Sequence, residues 1–186
     1  MRVIAGEFRG RNLKSVPGRH VRPTSDKVKG AMFNMIGPFF EGGRGLDLFA
    51  GTGALGIEAL SRGLEQVVFV DHSRQSIRVI QTNLRMLGLE GQAEVYQMGA
   101  EEAVSFLAER NRRFDLVFLD PPYMSTRESL APAWLTQLAQ GRLLAQAAKV
   151  VLEHDARVSF PDRLGVLEKV KERRYGNTTL TIFEHT

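Results

Sequence analysis

Short apolar runs alternate with amphipathic segments from about residue 44 onward, a pattern typical of βαβ units around a parallel sheet. The apolar runs predict strands at 45–50, 66–71, 93–97, 114–119 and 149–153. The segments between them predict helices at 54–62, 74–87, 100–110 and 128–140. Two extended pieces within 174–184, on either side of Gly176-Asn177, predict an antiparallel hairpin that closes one edge of the sheet. We therefore expect an α/β fold with a mostly parallel central sheet.

The first part of the chain follows a different pattern. Residues 2–15 alternate apolar stretches with glycines, which is compatible with a small hairpin, and 15–23 has the composition of a linker. Apolar residues then recur at helical spacing and predict an amphipathic helix over 25–37, capped by Thr24 or Ser25 and packed on the main sheet. We thus divide the chain into a basic hairpin-and-linker extension and a main domain, at 1–24 and 25–186.

Composition narrows the class of protein. A chain of 186 residues with 43% hydrophobic content suits one globular domain. No run approaches the roughly 18 apolar residues of a membrane helix, and the N-terminus lacks the apolar core of a secretory signal, so we expect a cytoplasmic protein without membrane contact. The absence of cysteine excludes disulfides and thiolate chemistry, and the four histidines lack metal-ligand spacing. We expect no metal site.

The net charge of +4 is unevenly distributed along the chain. Residues 1–30 hold eight basic and two acidic side chains, a net +6, so the remainder of the chain carries −2. Such a segment either contacts a polyanion or is a solvated, flexible tail. The basic residues that would make a polyanion contact are Arg2, Arg9, Arg11, Arg22, Lys27 and Lys29.

A glycine turn follows the first predicted strand. The segment 46–56, LDLFAGTGALG, predicts a buried strand, a turn and a helix, a layout that directs backbone N–H groups at a small charged ligand. Its glycines also satisfy the dinucleotide fingerprint, and Asp71 lies about 20 residues downstream, where that fingerprint needs a carboxylate for the ribose. Asp47 separates the two hypotheses, because its carboxylate would repel a pyrophosphate and attract the sulfonium and ammonium groups of S-adenosylmethionine. Alternatively, Asp47 only accepts hydrogen bonds from the turn.

The second predicted strand ends at Asp71, at the same edge of the sheet. From there its carboxylate would reach the hydroxyls of an adenosine ribose. The alternative is that Asp71 caps the helix that begins near Arg74. The two roles are compatible with each other.

The tetrapeptide Asp120-Pro121-Pro122-Tyr123 follows the fourth predicted strand and should project from that edge too. Proline lacks an N–H group and holds the preceding residue extended, so this stretch presents acceptors without donors. The Asp120 carboxylate and the Pro121 carbonyl would hold the exocyclic amine of a base and stabilise positive charge that develops on it during attack. Tyr123 would stack on the base, worth roughly 1–3 kcal/mol. The alternative is a rigid loop with a core tyrosine.

Two sets of motifs resemble known proteins. DLFAGTGALGIEALSRG at 47–63, together with Asp120-Pro-Pro-Tyr123, resembles the class I amino-methyltransferases. At the N-terminus, the segments at 2–6, 9–11, 22–29 and 31–34 resemble the RsmD family, bacterial 16S ribosomal RNA guanine-N2 methyltransferases. The resemblance implies a Rossmann-like enzyme that methylates the N2 amine of a guanine in a loop of that RNA, within an assembling small subunit, as a monomer.

The resemblance also implies a set of site residues. Contacts to S-adenosylmethionine would come from Thr24, Asp47, Phe49, Ala50, Gly51, Thr52, Gly53, Asp71, Gly99, Ala100 and Asp120. Arg22, Thr24 and Asp26 would order the extension around donor and RNA. Related proteins commonly place Asp or Asn near Gly99-Ala100 against the adenine amine, so here the backbone or Glu101 would have to substitute.

Other functions share parts of these motifs. A nucleic-acid adenine-N6 methyltransferase or a protein glutamine amide methyltransferase would use the same acceptor-rich loop, because each substrate is a planar conjugated amine. The lack of an evident target-recognition insertion argues against DNA, and the basic N-terminus argues against a glutamine substrate. Asp47 disfavours a nicotinamide oxidoreductase. A non-catalytic RNA-binding module would need neither Asp120 nor a donor pocket.

Overall fold

The computed structural model of the protein describes residues 1–18, 25–121, 133–140 and 142–186. Within these residues the strands are β1 Arg44–Asp47, β2 Gln66–Asp71, β3 Ala93–Gln97, β4 Phe114–Leu119, β5 Leu144–Asp155, β6 Arg163–Leu164, β7 Leu167–Tyr175 and β8 Thr178–His185. The helices are α1 Asp26–Ile36, α2 Ala54–Ser61, α3 Arg74–Met86, α4 Ala100–Glu109 and α5 Ala133–Leu138, with a short 3₁₀ turn at Glu90–Gln92.

The eight strands form one sheet in the order β3-β2-β1-β4-β5-β8-β7-β6. Strands β1 to β5 are parallel, and β6, β7 and β8 pair antiparallel beyond β5. The predicted fold class is therefore confirmed. From β1 the chain first builds outward through β2 and β3 and then returns to β4 on the other side of β1. Such a change of direction opens a crevice at the carboxyl ends of β1 and β4, which is where ligands bind in open α/β sheets.

The helices cover both faces of the sheet. One apolar core contains side chains from α1, α2 and α3, and the other contains side chains from α4 and α5. Ser25 caps α1 as predicted, because its Oγ accepts a hydrogen bond of 3.2 Å from the Val28 N–H. In the part of the chain that the structure describes, no helix combines the length and apolarity needed to cross a membrane.

The C-terminal half shows the main differences from the predicted elements. Strand β5 begins at Leu144 rather than 149, and its pairing with β4 shifts register between Phe114 and Leu116. Leu144 pairs with Phe114 and regular pairing resumes only at Lys149, so the alanine-rich stretch between them is an irregularity in which Ala147 has a φ of 61°. The hairpin is longer than predicted, and β6 was not predicted. The predicted helix at 128–140 is described only as α5.

The N-terminal extension packs into the main core. Arg2 and Asn12 form an antiparallel bridge, as expected of the small hairpin, and Val3 and Leu13 are buried in the core that contains α1 to α3. Gly6 approaches α2 so closely that a Cβ atom would lie 1.9 Å from the Ser61 carbonyl oxygen. Residues 1–14 are therefore not a solvated tail. The boundary between extension and main domain at residue 24 stays a prediction.

Candidate functional site

The loops predicted to share a site leave the sheet side by side. The Leu48 N–H, just beyond β1, donates a 3.2 Å hydrogen bond to the Phe118 carbonyl of β4. The Ala50 N–H donates to the Val70 carbonyl of β2 at 2.9 Å. Asp120 follows β4 directly. The turn after β1, the end of β2 and the start of the Asp120 loop therefore meet at the carboxyl edge of the sheet.

The turn after β1 depends on two glycines with left-handed backbone. Gly51 has a φ of 57° and Gly53 has a φ of 84°, backbone angles that residues with a Cβ atom rarely adopt. Gly53 precedes the first residue of α2, and no side chain among the described residues caps that helix. The first turn of α2 therefore directs backbone N–H groups toward the crevice, where they can bind a ligand.

Gly56, the third glycine of the motif, lets α2 pack closely on the sheet. A Cβ atom here would lie 2.4 Å from Cε1 of Phe69, whose ring is buried in β2. We expect Gly56→Ala to lower the free energy of unfolding by about 1–3 kcal/mol, measured by urea denaturation, because the core would be overpacked. Gly91→Ala is the matched control, since no atom lies within 4 Å of its added Cβ. Equal stability of the two variants would contradict this interpretation.

Asp47 lies beneath the turn. Its carboxylate is buried, with 1% of the residue exposed, and its Oδ2 accepts a hydrogen bond from the Gly56 N–H at 3.2 Å. Burial raises the pKa of Asp47 to about 7, and the negative charge of Asp71 adds to that rise, whereas the Gly56 N–H lowers it. This hydrogen bond from the Gly56 N–H agrees with the alternative given above, in which Asp47 only accepts hydrogen bonds from the protein's own backbone. A direct attraction between Asp47 and a cationic donor stays a prediction.

The buried Asp47 should make stability depend on pH. Its folded-state pKa of about 7 lies above the ordinary value of 3.8, so the folded protein retains a proton that the unfolded chain has lost. Stability from this group is therefore present below about pH 4 and declines as the pH rises to about 7, by up to about 4 kcal/mol. We expect Asp47→Asn to remove this decline in urea unfolding experiments between pH 4.5 and pH 8. A variant with the same slope as the wild type would show that Asp47 is not its source.

Asp71 connects the end of β2 to the glycine turn. One carboxylate oxygen accepts a 2.9 Å hydrogen bond from the Gly51 N–H, and the other accepts a 2.8 Å bond from the Ser73 N–H. Ser73, rather than Asp71, caps α3, because its Oγ accepts from the Ser76 N–H. Each carboxylate oxygen has a further lone pair, so these contacts are compatible with the predicted ribose contact.

An open cleft of about 670 Å³ lies beside the turn, within the size range of small-molecule sites. Its lining contains Phe49, Gly99, Ala100, Glu101, Glu102, Ser105 and Trp134. Phe49 and Trp134 form an edge-to-face pair with centroids 5.1 Å apart, which gives the cleft an aromatic wall. Gly99 precedes α4 with extended backbone and no side chain. The prediction missed Trp134, although it is the chain's single tryptophan and lies in a predicted helix beside the predicted site.

The acceptor loop is described only at its start. Asp120 and Pro121 are half-buried at the end of β4, beside the turn after β1. Pro122 and Tyr123 lie outside the described residues, and so do Arg22 and Thr24. Their predicted roles stay predictions.

Four of the predicted RNA-binding residues are exposed. They are Arg2, Arg9, Arg11 and Lys27. Arg2 forms an ion pair with Asp26 at 3.0 Å, and Arg11 donates to the Met86 carbonyl at 3.3 Å.

The prediction for Lys29 is wrong. Its side chain is 1% exposed, and its Nζ donates to the Arg2 carbonyl at 2.7 Å and lies 3.6 Å from Oε1 of Glu58. Lys29 faces the core side of α1 because it lies one helical turn before Met32 and Phe33, both buried. Glu58, an acidic residue within the apolar helix α2, was the signal that a buried basic partner was needed.

Comparison with known proteins agrees with this architecture. Residues 1–184 match the model of the family described as conserved hypothetical protein 95, which includes RsmD. The chain belongs to the RsmD family. It is similar to Bacillus subtilis YlbH, named as a candidate rRNA methyltransferase, with 47% identity over 99% of this chain and 98% of that protein. The Haemophilus influenzae ribosomal RNA small subunit methyltransferase D is 32% identical over 100% of this chain and 94% of its own.

A solved structure extends this similarity to the fold. The Escherichia coli protein yhhF, named as a candidate methyltransferase, superposes with a TM-score of 0.84 and 31% identity. The match covers 100% of this chain and 97% of the E. coli chain. The similarity to RsmD family members therefore covers both the extension and the main domain.

Proposed function

We propose that this RsmD family member transfers a methyl group from S-adenosylmethionine to the N2 amine of a guanine in 16S ribosomal RNA. One observation carries the proposal: the glycine turn after β1 and the Asp120 loop after β4 leave the sheet side by side, joined by the 3.2 Å bond between Leu48 and Phe118. A donor held by the turn would therefore lie next to a substrate held by the loop. The names of the B. subtilis and H. influenzae relatives support ribosomal RNA as the substrate.

The turn suits S-adenosylmethionine better than a dinucleotide. Gly51 and Gly56 supply N–H groups of the kind that bind a pyrophosphate, yet both already donate to the protein's own carboxylates, Asp71 and Asp47. The Asp71 carboxylate, and that of Asp47 in its ionised form, would repel a phosphate group and attract a cation. The cleft lined by Phe49 and Trp134 offers an aromatic wall on which an adenine ring could pack. Asp71 is then the residue that would contact the ribose.

The Asp120 loop would act on the acceptor amine. S-adenosylmethionine supplies an electrophilic methyl group when bound. The Asp120 carboxylate and the Pro121 carbonyl would accept hydrogen bonds from the amine and aim its lone pair at that carbon, so most of the rate acceleration comes from positioning. The carboxylate would also stabilise the positive charge that develops on the nitrogen. On transfer a nitrogen–carbon bond would form as the carbon–sulfur bond breaks, S-adenosylhomocysteine would leave as the neutral thioether, and the methylated amine would release its proton to water.

The choice of guanine rests on the family rather than on the loop. Adenine N6 and a glutamine amide present the same kind of planar amine to Asp120 and Pro121. The exposed basic residues of the extension favour RNA over a protein substrate, because phosphates attract cationic side chains at long range.

Identification of the modified nucleoside tests the proposal. The protein is incubated with labelled S-adenosylmethionine and small ribosomal subunits from a strain that lacks it, and the RNA is then digested. We expect N2-methylguanosine to carry the label. Label in N6-methyladenosine would overturn the choice of base, and label in ribosomal protein would overturn RNA as the substrate.

A further inference from the structure

Strand pairing places the end of β7 level with the Asp120 loop. Glu153 of β5 is the next residue after Leu152, which pairs with Leu119 of β4, so Glu153 is level with Asp120. Glu153 pairs with Leu180 of β8, and Leu180 pairs with Arg173 of β7. Three strand spacings separate β4 from β7, which corresponds to about 14 Å.

Two arginines lie at the end of β7: Arg173 is at this level, and Arg174 is one residue further along the strand and starts from its opposite face. Arg173 and Arg174 are both exposed, and neither forms an ion pair with any residue that the structure describes. The Nε of Arg174 donates to the Gly176 carbonyl at 2.8 Å, a neutral contact that leaves its charge uncompensated. By contrast, Lys169 of the same strand lies within 3.5 Å of the carboxylates of Asp162 and Glu172. The end of β7 thus carries two positive charges at the carboxyl edge of the sheet.

The distribution of charge along the sequence does not reveal these two arginines. Residues 31–186 carry a net −2, so the local excess is hidden in an acidic average. The arginines lie on the opposite side of β4 from the glycine turn, because β1 is next to β4 on one side and β7 lies three strands away on the other. They are therefore placed to contact a substrate at the Asp120 loop without reaching the donor cleft.

We propose that Arg173 and Arg174 form an RNA-contact surface that binds backbone phosphates next to the target nucleotide. Guanidinium groups suit this role because they bind phosphate oxygens in a bidentate fashion and remain charged. The inference rests on the proposed function, since it requires RNA at the Asp120 loop. It adds a second surface to the basic extension, on a different part of the fold.

The double variant Arg173→Gln/Arg174→Gln tests the surface. With small ribosomal subunits as substrate, we expect KM for the subunit to rise about three- to thirtyfold, as for two contacts of ordinary surface strength. We expect kcat and the affinity for S-adenosylmethionine to stay unchanged, because neither arginine reaches the donor. Binding to the RNA should also depend less on salt, with the slope of log K against log salt shallower by roughly 1.4.

The double variant Arg142→Gln/Arg163→Gln is the matched control. Both residues are exposed and lie toward the opposite edge of the sheet, Arg142 just before β5 and Arg163 in β6, paired with Glu168. This control should keep the wild-type KM and salt slope. If both double variants match an active wild type, the proposed surface is wrong and the proposed function stands. If the wild type itself methylates no RNA, the proposed function fails first.

Discussion

Asp120→Ala should slow methyl transfer at least about a hundredfold while leaving the affinity for S-adenosylmethionine nearly unchanged. The carboxylate is half-buried at the end of β4 and is the only formal negative charge in the tetrapeptide at 120–123. Its removal takes away both an acceptor for the amine and the charge that stabilises the transition state. The donor is expected to bind mainly to the turn and the cleft, so calorimetry should detect little change.

Two further variants make the Asp120 experiment specific. Asp120→Asn keeps an oxygen acceptor and loses the charge, so its rate should fall between those of the wild type and Asp120→Ala. Asp162→Ala removes a carboxylate that is 97% exposed and remote from the Asp120 loop, and it should retain full activity. Single-turnover measurements with saturating RNA separate the chemical step from binding. Wild-type rates in Asp120→Ala would exclude this carboxylate from the reaction.

Glu58→Gln should lower the free energy of unfolding by about 3–5 kcal/mol, the largest stability effect expected in this chain. Glu58 is fully buried and lies between two buried basic side chains, 3.6 Å from the Lys29 Nζ and 3.5 Å from the Arg62 Nε. It also accepts hydrogen bonds from the Ile4 and Ala5 N–H groups. Neutralisation would leave two cations buried without a counterion and would weaken the attachment of the extension.

Urea denaturation and thermal melting measure this effect. A loss of this size corresponds to a decrease in Tm of roughly 6–20 °C for a chain of this length. Glu168→Gln is the matched control, because the Arg163–Glu168 pair is exposed and its loss should cost less than about 1 kcal/mol. Adding Lys29→Met to Glu58→Gln should recover part of the stability, because it removes one unpaired charge. Equal stability of Glu58→Gln and Glu168→Gln would contradict a structural role for the buried network.

Sequence patterns were sufficient for the features that depend on local order. The parallel strands β1, β2 and β4 are largely buried apolar runs, and the glycine turn is encoded in consecutive residues, so these features could be predicted. Features that depend on distant residues were missed. Lys29 was wrongly predicted to bind RNA, because its buried partner, Glu58, lies in another helix and local order does not show that the two residues meet. Trp134 meets Phe49 at the cleft although the two residues are far apart in the sequence.

The position of Arg173 and Arg174 is a further case of this limit. Their distance from Asp120 depends on the register of three strand pairs, including a bulge between Lys169 and Lys171. A register shift of one residue would turn every side chain of β7 to the opposite face of the sheet. It would also move both arginines by one residue along the strand direction. The hairpin could be predicted from its turn residues, whereas its length and register follow from pairing with β5.

A crystal structure of the protein with bound S-adenosylhomocysteine tests most directly whether the turn after β1 and the loop after β4 build one site. We expect the adenine ring to lie between Phe49 and Gly99, the ribose to contact Asp71, and the sulfur to face Asp120. Ligand bound on another face of the sheet, or with its sulfur directed away from Asp120, would contradict a shared site for donor and acceptor.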